Sequence, residues 1–141
     1  MKLKENELRI GNFLNYTTAE GDVLPTTIDW QDLKWISEDP EGFNLAHSAI
    51  PLTEECLLKF GFFKVNDMTW YDSEPTIYNI PSLRLDNFKP NETNSMFMEG
   101  KYGINVKYVN QLQNLYQTIT GRELNEINNI EVIDPETVKP E

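Results

Sequence analysis

The sequence predicts an α+β domain, a strongly bent antiparallel sheet, barrel-like in the limit, that carries two helices. Three observations predict it. Short runs rich in Val, Ile, Thr, Phe, Tyr and Trp recur between turn residues over 8–50 and again over 62–106, spaced as in a meander. Segment 52–62 carries the signals for both ends of a short helix, and segment 108–121 carries an apolar stripe at helical spacing. The 141 residues, 39% hydrophobic and 11% aromatic, are enough for one core and few for two. Residues 1–124 therefore read as a single domain, and 125–141 as an acidic, partly docked tail.

Leu8, Ile10, Phe13, Leu14 and Tyr16 around Gly11-Asn12 suit a strand with a turn or bulge at the glycine. Glu20-Gly21-Asp22 supplies a turn. Val23-Leu24, Thr26 to Trp30 and Leu33 to Ile36 read as further strands, and Asp39-Pro40-Glu41-Gly42 as a break. In the first helix Thr53 is the N-cap, and Glu54 and Glu55 lie where the helix dipole favours negative charge. Leu52 staples to Leu57, and Gly61 takes the left-handed position that ends the helix. Phe62 to Val65, Thr69 to Tyr71, Thr76 to Ile80, Leu83 to Leu85 and Met96 to Met98 read as strands, with 87–94 as a loop. In the second helix Val109, Leu112, Leu115, Tyr116 and Ile119 form the buried stripe. Asn110, Gln111, Asn114 and Gln117 fill the other face, and Gly121 ends it.

The charge excludes several partners. Twelve Lys+Arg against 23 Asp+Glu give a net charge of -11, which disfavours direct binding to nucleic acid or to an anionic membrane and favours a basic protein. The excess is uneven. Residues 1–61 carry 5 positive and 11 negative groups, a net of -6; residues 62–121 carry 5 and 6, a net of -1. Within 20–41, seven carboxylates face only Lys34 and interleave with two tryptophans. Aromatic anchors among charges are a common composition of binding hot spots, and an acidic patch speeds encounter with a basic one. Asp29, Trp30, Asp32, Trp35, Glu38, Asp39 and Glu41 are the candidate partner-binding residues.

Catalytic and metal chemistry has weaker signals. No 18-residue apolar run is present and Met1 to Glu7 lacks the apolar core of a secretory signal, so a cytoplasmic location is expected. One cysteine, Cys56, and one histidine, His47, give neither a disulfide nor a zinc set, and no cofactor is expected. A Cys56–His47 thiolate pair, or carboxylates drawn from Glu54, Glu55, Asp72 and Glu74, is the basis of an alternative enzymatic reading. Asp86 to Asn94 offers oxygens without calcium-loop spacing, and Trp70, Tyr71 and Phe97 offer stacking faces without clustered Lys or Arg.

Three stretches carry a resemblance. Leu8-Arg9-Ile10-Gly11-Asn12, Ile50 to Glu55 with Leu57 to Phe62, and Lys107-Tyr108-Val109 with Gln111 to Tyr116 and Thr120 to Leu124 resemble small proteins encoded by phages and prophages of Bacteroidetes-type bacteria. Members usually have tryptophan at the position of Cys56 and histidine at that of Asn110. The resemblance implies phage or mobile-element origin and brings no catalytic residues with it. Together with the charge map, it leads to the expectation of a non-catalytic antagonist in the host cytoplasm. Such a protein docks on a basic host protein, for instance an RNA-guided defence nuclease, as anti-CRISPR proteins do. A phage accessory or structural part is the other alternative.

Overall fold

A computed structural model describes residues 2–90, 92–98 and 103–124; the expected tail, 125–141, lies outside the described residues. The chain is α+β, as expected, but among the described residues its antiparallel strands form two sheets rather than one bent sheet, with four α-helices rather than two. The described strands form no closed barrel.

The first sheet comprises β1 (Phe13–Thr17), β2 (Val23–Thr27) and β3 (His47–Ala49) in the order β2-β1-β3. A bulge precedes β1. Gly11 N–H donates to the Ile28 carbonyl at 2.9 Å, and Ile28 N–H donates to the Asn12 carbonyl at 2.8 Å, so two residues face one. Gly11 takes φ 99° there, a value that a side chain would strain. The hairpin turn falls at Gly21, as expected.

Two helices, α1 (Trp30–Glu38) and α2 (Pro40–Ala46), occupy the stretch expected to hold strands and a break. The cause is local capping. Asp29 accepts from the N–H groups of Gln31 (3.0 Å) and Asp32 (3.1 Å), and Asp32 reaches back to accept from Asp29 N–H at 3.0 Å. Asp39 repeats the device for α2, accepting from Gly42 N–H at 3.1 Å with Pro40 in the first turn, where its missing N–H costs nothing. Ile36 and Phe43 enter a core with Leu3, Leu14, Ile28 and Ala49.

The second sheet is a five-stranded meander of β4 (Phe63–Lys64), β5 (Thr69–Tyr71), β6 (Leu83–Asp86), β7 (Asn94–Met98) and β8 (Gly103–Val106). It shares its own core with α3 (Glu54–Lys59) and α4 (Val109–Thr120), built on Leu57, Trp70, Leu85, Met96 and Leu112. α3 follows the expectation closely. Thr53 Oγ1 accepts from Cys56 N–H at 3.2 Å, and the helix closes with Phe62 N–H on the Leu57 carbonyl (2.9 Å) and Gly61 N–H on that of Leu58 (3.0 Å). The expected strand over Thr76 to Ile80 is a loop, because Pro75 and Pro81 bracket it and remove donors from any ladder.

The polar face of α4 joins the two cores. Gln113 is fully buried; its Oε1 accepts from Phe13 N–H at 2.8 Å, and its Nε2 donates to the Gly11 carbonyl at 3.0 Å. Asn114 Oδ1 accepts from Asn12 Nδ2 at 2.8 Å and from Arg9 Nε at 3.1 Å, and its own amide donates to the Glu7 carbonyl at 3.0 Å. Arg9 also donates to both oxygens of Glu123, at 2.9 and 2.8 Å. Thus Asn114, expected on the polar face of the helix, forms an interior joint with Gln113. Asn110, in the first turn of α4, is buried with its amide lacking a hydrogen-bond partner among the described residues.

Candidate functional site

The seven expected partner-binding residues gather on α1, α2 and their caps, where they fall into two kinds. Asp29, Asp32 and Asp39 are helix caps, so their carboxylates are already committed to backbone N–H groups. Glu38 and Glu41 are exposed and without such duties. Trp30 is 61% exposed at the first position of α1. Trp35 is only partly so; its ring meets Phe43 edge-on at 5.5 Å and His47 at 5.3 Å, which makes it a rim of the core.

Electrostatics separate the two capping carboxylates of α1. Backbone N–H donation, chiefly from Asp32, holds Asp29 below the ordinary carboxylate range. Asp32 moves the other way, raised mainly by burial and further by the neighbouring Asp29. None of the carboxylates between 20 and 41 forms a salt bridge among the described residues. Glu38 lies in the last turn of α1, next to the negative end of the helix dipole, and no basic residue shares that turn. The α1–α2 junction therefore holds Glu38, Asp39 and Glu41 without an ion pair among the described residues, Lys34 being the one cation between 20 and 41.

The residues of the alternative enzymatic reading lie apart. His47 is a core ring, stacked on Phe43 at 3.9 Å with Nδ1 3.0 Å from the Phe43 carbonyl. Cys56 Sγ is 3.3 Å from Thr53 Oγ1, and no recorded contact joins it to His47. Asp72 is buried, accepting from Ser82 and Leu83 N–H, while Glu54 pairs with Lys64 at 3.6 Å. Asn94, from the stretch with candidate cation ligands, closes its loop on the backbone of Lys89 and Glu92. Among the described residues no group of three His, Cys, Asp or Glu side chains is placed to hold a metal ion. Trp70, expected as an exposed stacking face, is core.

Two features escape sequence reasoning. A cleft of about 550 Å³ lies where the first sheet meets α3, lined by Phe13, Pro25, Thr27, Ile50, Lys59 and Phe60, with Cys56 on its wall. Beside it, bonds from Leu52 N–H to the Lys107 carbonyl and from Val109 N–H to the Ile50 carbonyl tie the segment before α3 to the start of α4. The second feature is apolar. The 72–83 loop exposes Ile77, Tyr78 and Ile80 by 87%, 92% and 85%. The bracketing prolines were a usable signal, since a strand-like run barred from pairing turns its apolar side chains to solvent.

Comparison with protein-family models, with curated proteins and with solved structures finds no match to the chain. Stretches 8–12, 50–62 and 107–124 adjoin one another in the structure. Arg9 and Asn12 meet Gln113, Asn114 and Glu123 in the joint, and Ile50 bonds the start of α4. No helix among the described residues is long and apolar enough to cross a membrane.

Proposed function

We propose that this chain is a protein-binding module of phage or mobile-element origin. In the host cytoplasm it docks its α1–α2 face on the basic surface of a nucleic-acid-binding protein and antagonises it, an RNA-guided defence nuclease being the kind of target that fits. The observation that carries this reading is the unneutralised carboxylate group of Glu38, Asp39 and Glu41 on the same helix pair as an exposed Trp30. Such an arrangement gives a steering field for a cationic partner and an apolar anchor for the docked state. Charge left at the unfavourable end of α1 lowers the stability of the free chain and is relieved when a cation arrives.

Testing this requires variants that spare the caps. Reversing Asp29, Asp32 and Asp39 to Lys removes the caps of both helix starts, and loss of binding would then report unfolding. Glu38→Lys with Glu41→Lys, and Trp30→Ala alone, leave every cap in place. A tagged pull-down from host lysate, with nuclease treatment and washes at two salt concentrations, should retain one basic nucleic-acid-binding protein at low salt and lose it at high salt. Both cap-sparing variants should lose it at low salt. Equal recovery by folded variants would falsify the α1–α2 assignment.

A second reading, an enzyme using Cys56, is favoured by one observation, the position of that thiol on the wall of the cleft. Its sign would be a turnover abolished by Cys56→Ala and untouched by Trp30→Ala.

A further inference from the structure

The 72–83 loop is held in shape from within. At its base Asp72 accepts from Ser82 N–H at 2.8 Å and from Leu83 N–H at 3.0 Å. Asn79 Nδ2 donates to Ser73 Oγ at 2.9 Å and to the Glu74 carbonyl at 2.6 Å, and Thr76 and Asn79 exchange backbone bonds of 3.1 and 3.3 Å. Three almost fully exposed apolar side chains are therefore presented on an ordered frame, which reduces the ordering cost of docking them. The loop carries one exposed charge, Glu74, which has no ion-pair partner among the described residues.

The cleft beside α3 has the opposite character. Phe13, Ile50 and Phe60 give it apolar walls, and half-buried Lys59 lines it without a salt bridge among the described residues. An apolar projection with one unpaired anion and an apolar recess with one unpaired cation complement each other in apolar character and in charge.

We propose that the Ile77-Tyr78-Asn79-Ile80 tip of one copy seats in the cleft of a second copy, with Glu74 meeting Lys59. A contact between two different patches is heterologous and runs on into chains unless symmetry closes it; reciprocal exchange about a two-fold axis closes it at a dimer. A bilayer is the poorer occupant, because residues 72–83 contain no Lys or Arg and the chain carries -11. This self-association uses neither α1 nor α2 and stands independently of the proposed target.

Sedimentation of the full chain across micromolar concentrations tests it. Two copies of charge -11 repel, so the expected monomer–dimer equilibrium tightens as salt rises, the reverse of a contact built on ion pairs alone. Tyr78→Asp on the tip and Thr27→Trp in the cleft should each raise the dissociation constant tenfold or more, with circular dichroism unchanged. Mixed together, these two variants should form a heterodimer, since one intact tip and one intact cleft remain. Lys59→Glu should weaken association and Lys59→Glu with Glu74→Lys should restore it. A wild-type chain that stays monomeric overturns the proposal, as do dimers indifferent to Tyr78→Asp or a mixture that remains monomeric.

Discussion

The half of the molecule around the three-stranded sheet and the half around the five-stranded sheet use surface charge in opposite ways. Around the first sheet, carboxylates start both helices and crowd their junction, and Trp30 is the most exposed aromatic, beside Tyr16 and Trp35. Around the second, charge nearly cancels. Tyr71, Arg84 and Phe97 lie in register across the outer face of the sheet, with the Arg84 guanidinium 4.9 Å from the Phe97 ring and its Nε 3.0 Å from Asp86. The difference shows that one chain of -11 is not uniformly acidic. One half joins a long-range field to exposed Trp30 and Leu45, whereas the other presents Ile77, Tyr78 and Ile80 with almost no field.

The largest expected effects ask whether the halves are energetically separate. Phe43→Ala in the first core and Trp70→Ala in the second should each cost about 3–5 kcal/mol. If the joint couples the halves, each variant unfolds in one transition seen alike by near- and far-ultraviolet circular dichroism. Two separated transitions in either variant would show independent units. Gln113→Ala attacks the coupling itself. It leaves Phe13 N–H and the Gly11 carbonyl without their partner, at an expected cost of about 2–3 kcal/mol, and should split the single denaturant transition.

Smaller effects sharpen the contrast within the acidic half. Asp39→Ala should cost about 1 kcal/mol through loss of the α2 cap, and Asp39→Asn, which keeps an accepting oxygen, much less. Glu38→Lys should instead stabilise the free chain by about 0.5 kcal/mol, because a cation suits the end of α1, while it weakens the proposed docking. Stability and binding would then move in opposite directions for one substitution, and thermal melts beside pull-downs read both. The Asp29–Asp32 pair gives the smallest effect. Asp29 is lowered, so its contribution is present above the unfolded carboxylate range near ~3.9 and fades as pH falls through its folded value. Asp32 is raised, so its ionisation opposes folding as pH climbs through that range and its protonation relieves this on acidification. The two signs offset. A carboxyl NMR titration should find Asp29 ionising at lower pH than Asp32, and the reverse order would contradict the cap geometry.

What was legible in the sequence depended on whether local chemistry sufficed. α3 was legible because Thr53, Leu52, Leu57 and Gly61 fix its ends within eleven residues, and the bulge was legible from Gly11. α1 was not. Trp30, Trp35 and Ile36 favour strands weakly, and the pairing of Asp29 with Asp32 outweighed that preference, being visible only as two acidic residues three apart. The run Thr76 to Ile80 had strand composition, yet its prolines decided the outcome. For the candidate site, the residues were legible as an acidic, Trp-containing stretch, whereas the division of labour between capping Asp29, Asp32 and Asp39 and free Glu38 and Glu41 required coordinates. Gln113 and Asn114 were hidden for another reason: a polar face meets solvent or a complementary polar backbone equally well, and only the fold says which.

The joint also sets an order of events during synthesis. Arg9 and Glu123 are 114 positions apart, and Phe13 N–H waits for a side chain 100 positions later. Every residue of the first sheet and its two helices emerges before any residue of α4. The nascent acidic half can collapse early, but its bulge keeps the Gly11 carbonyl and Phe13 N–H unlatched until α4 arrives. Long-range closure of this kind is slow relative to helix and hairpin formation. Maturation is therefore a late clasp, fastened when α4 brings the last part of the described chain back onto the first.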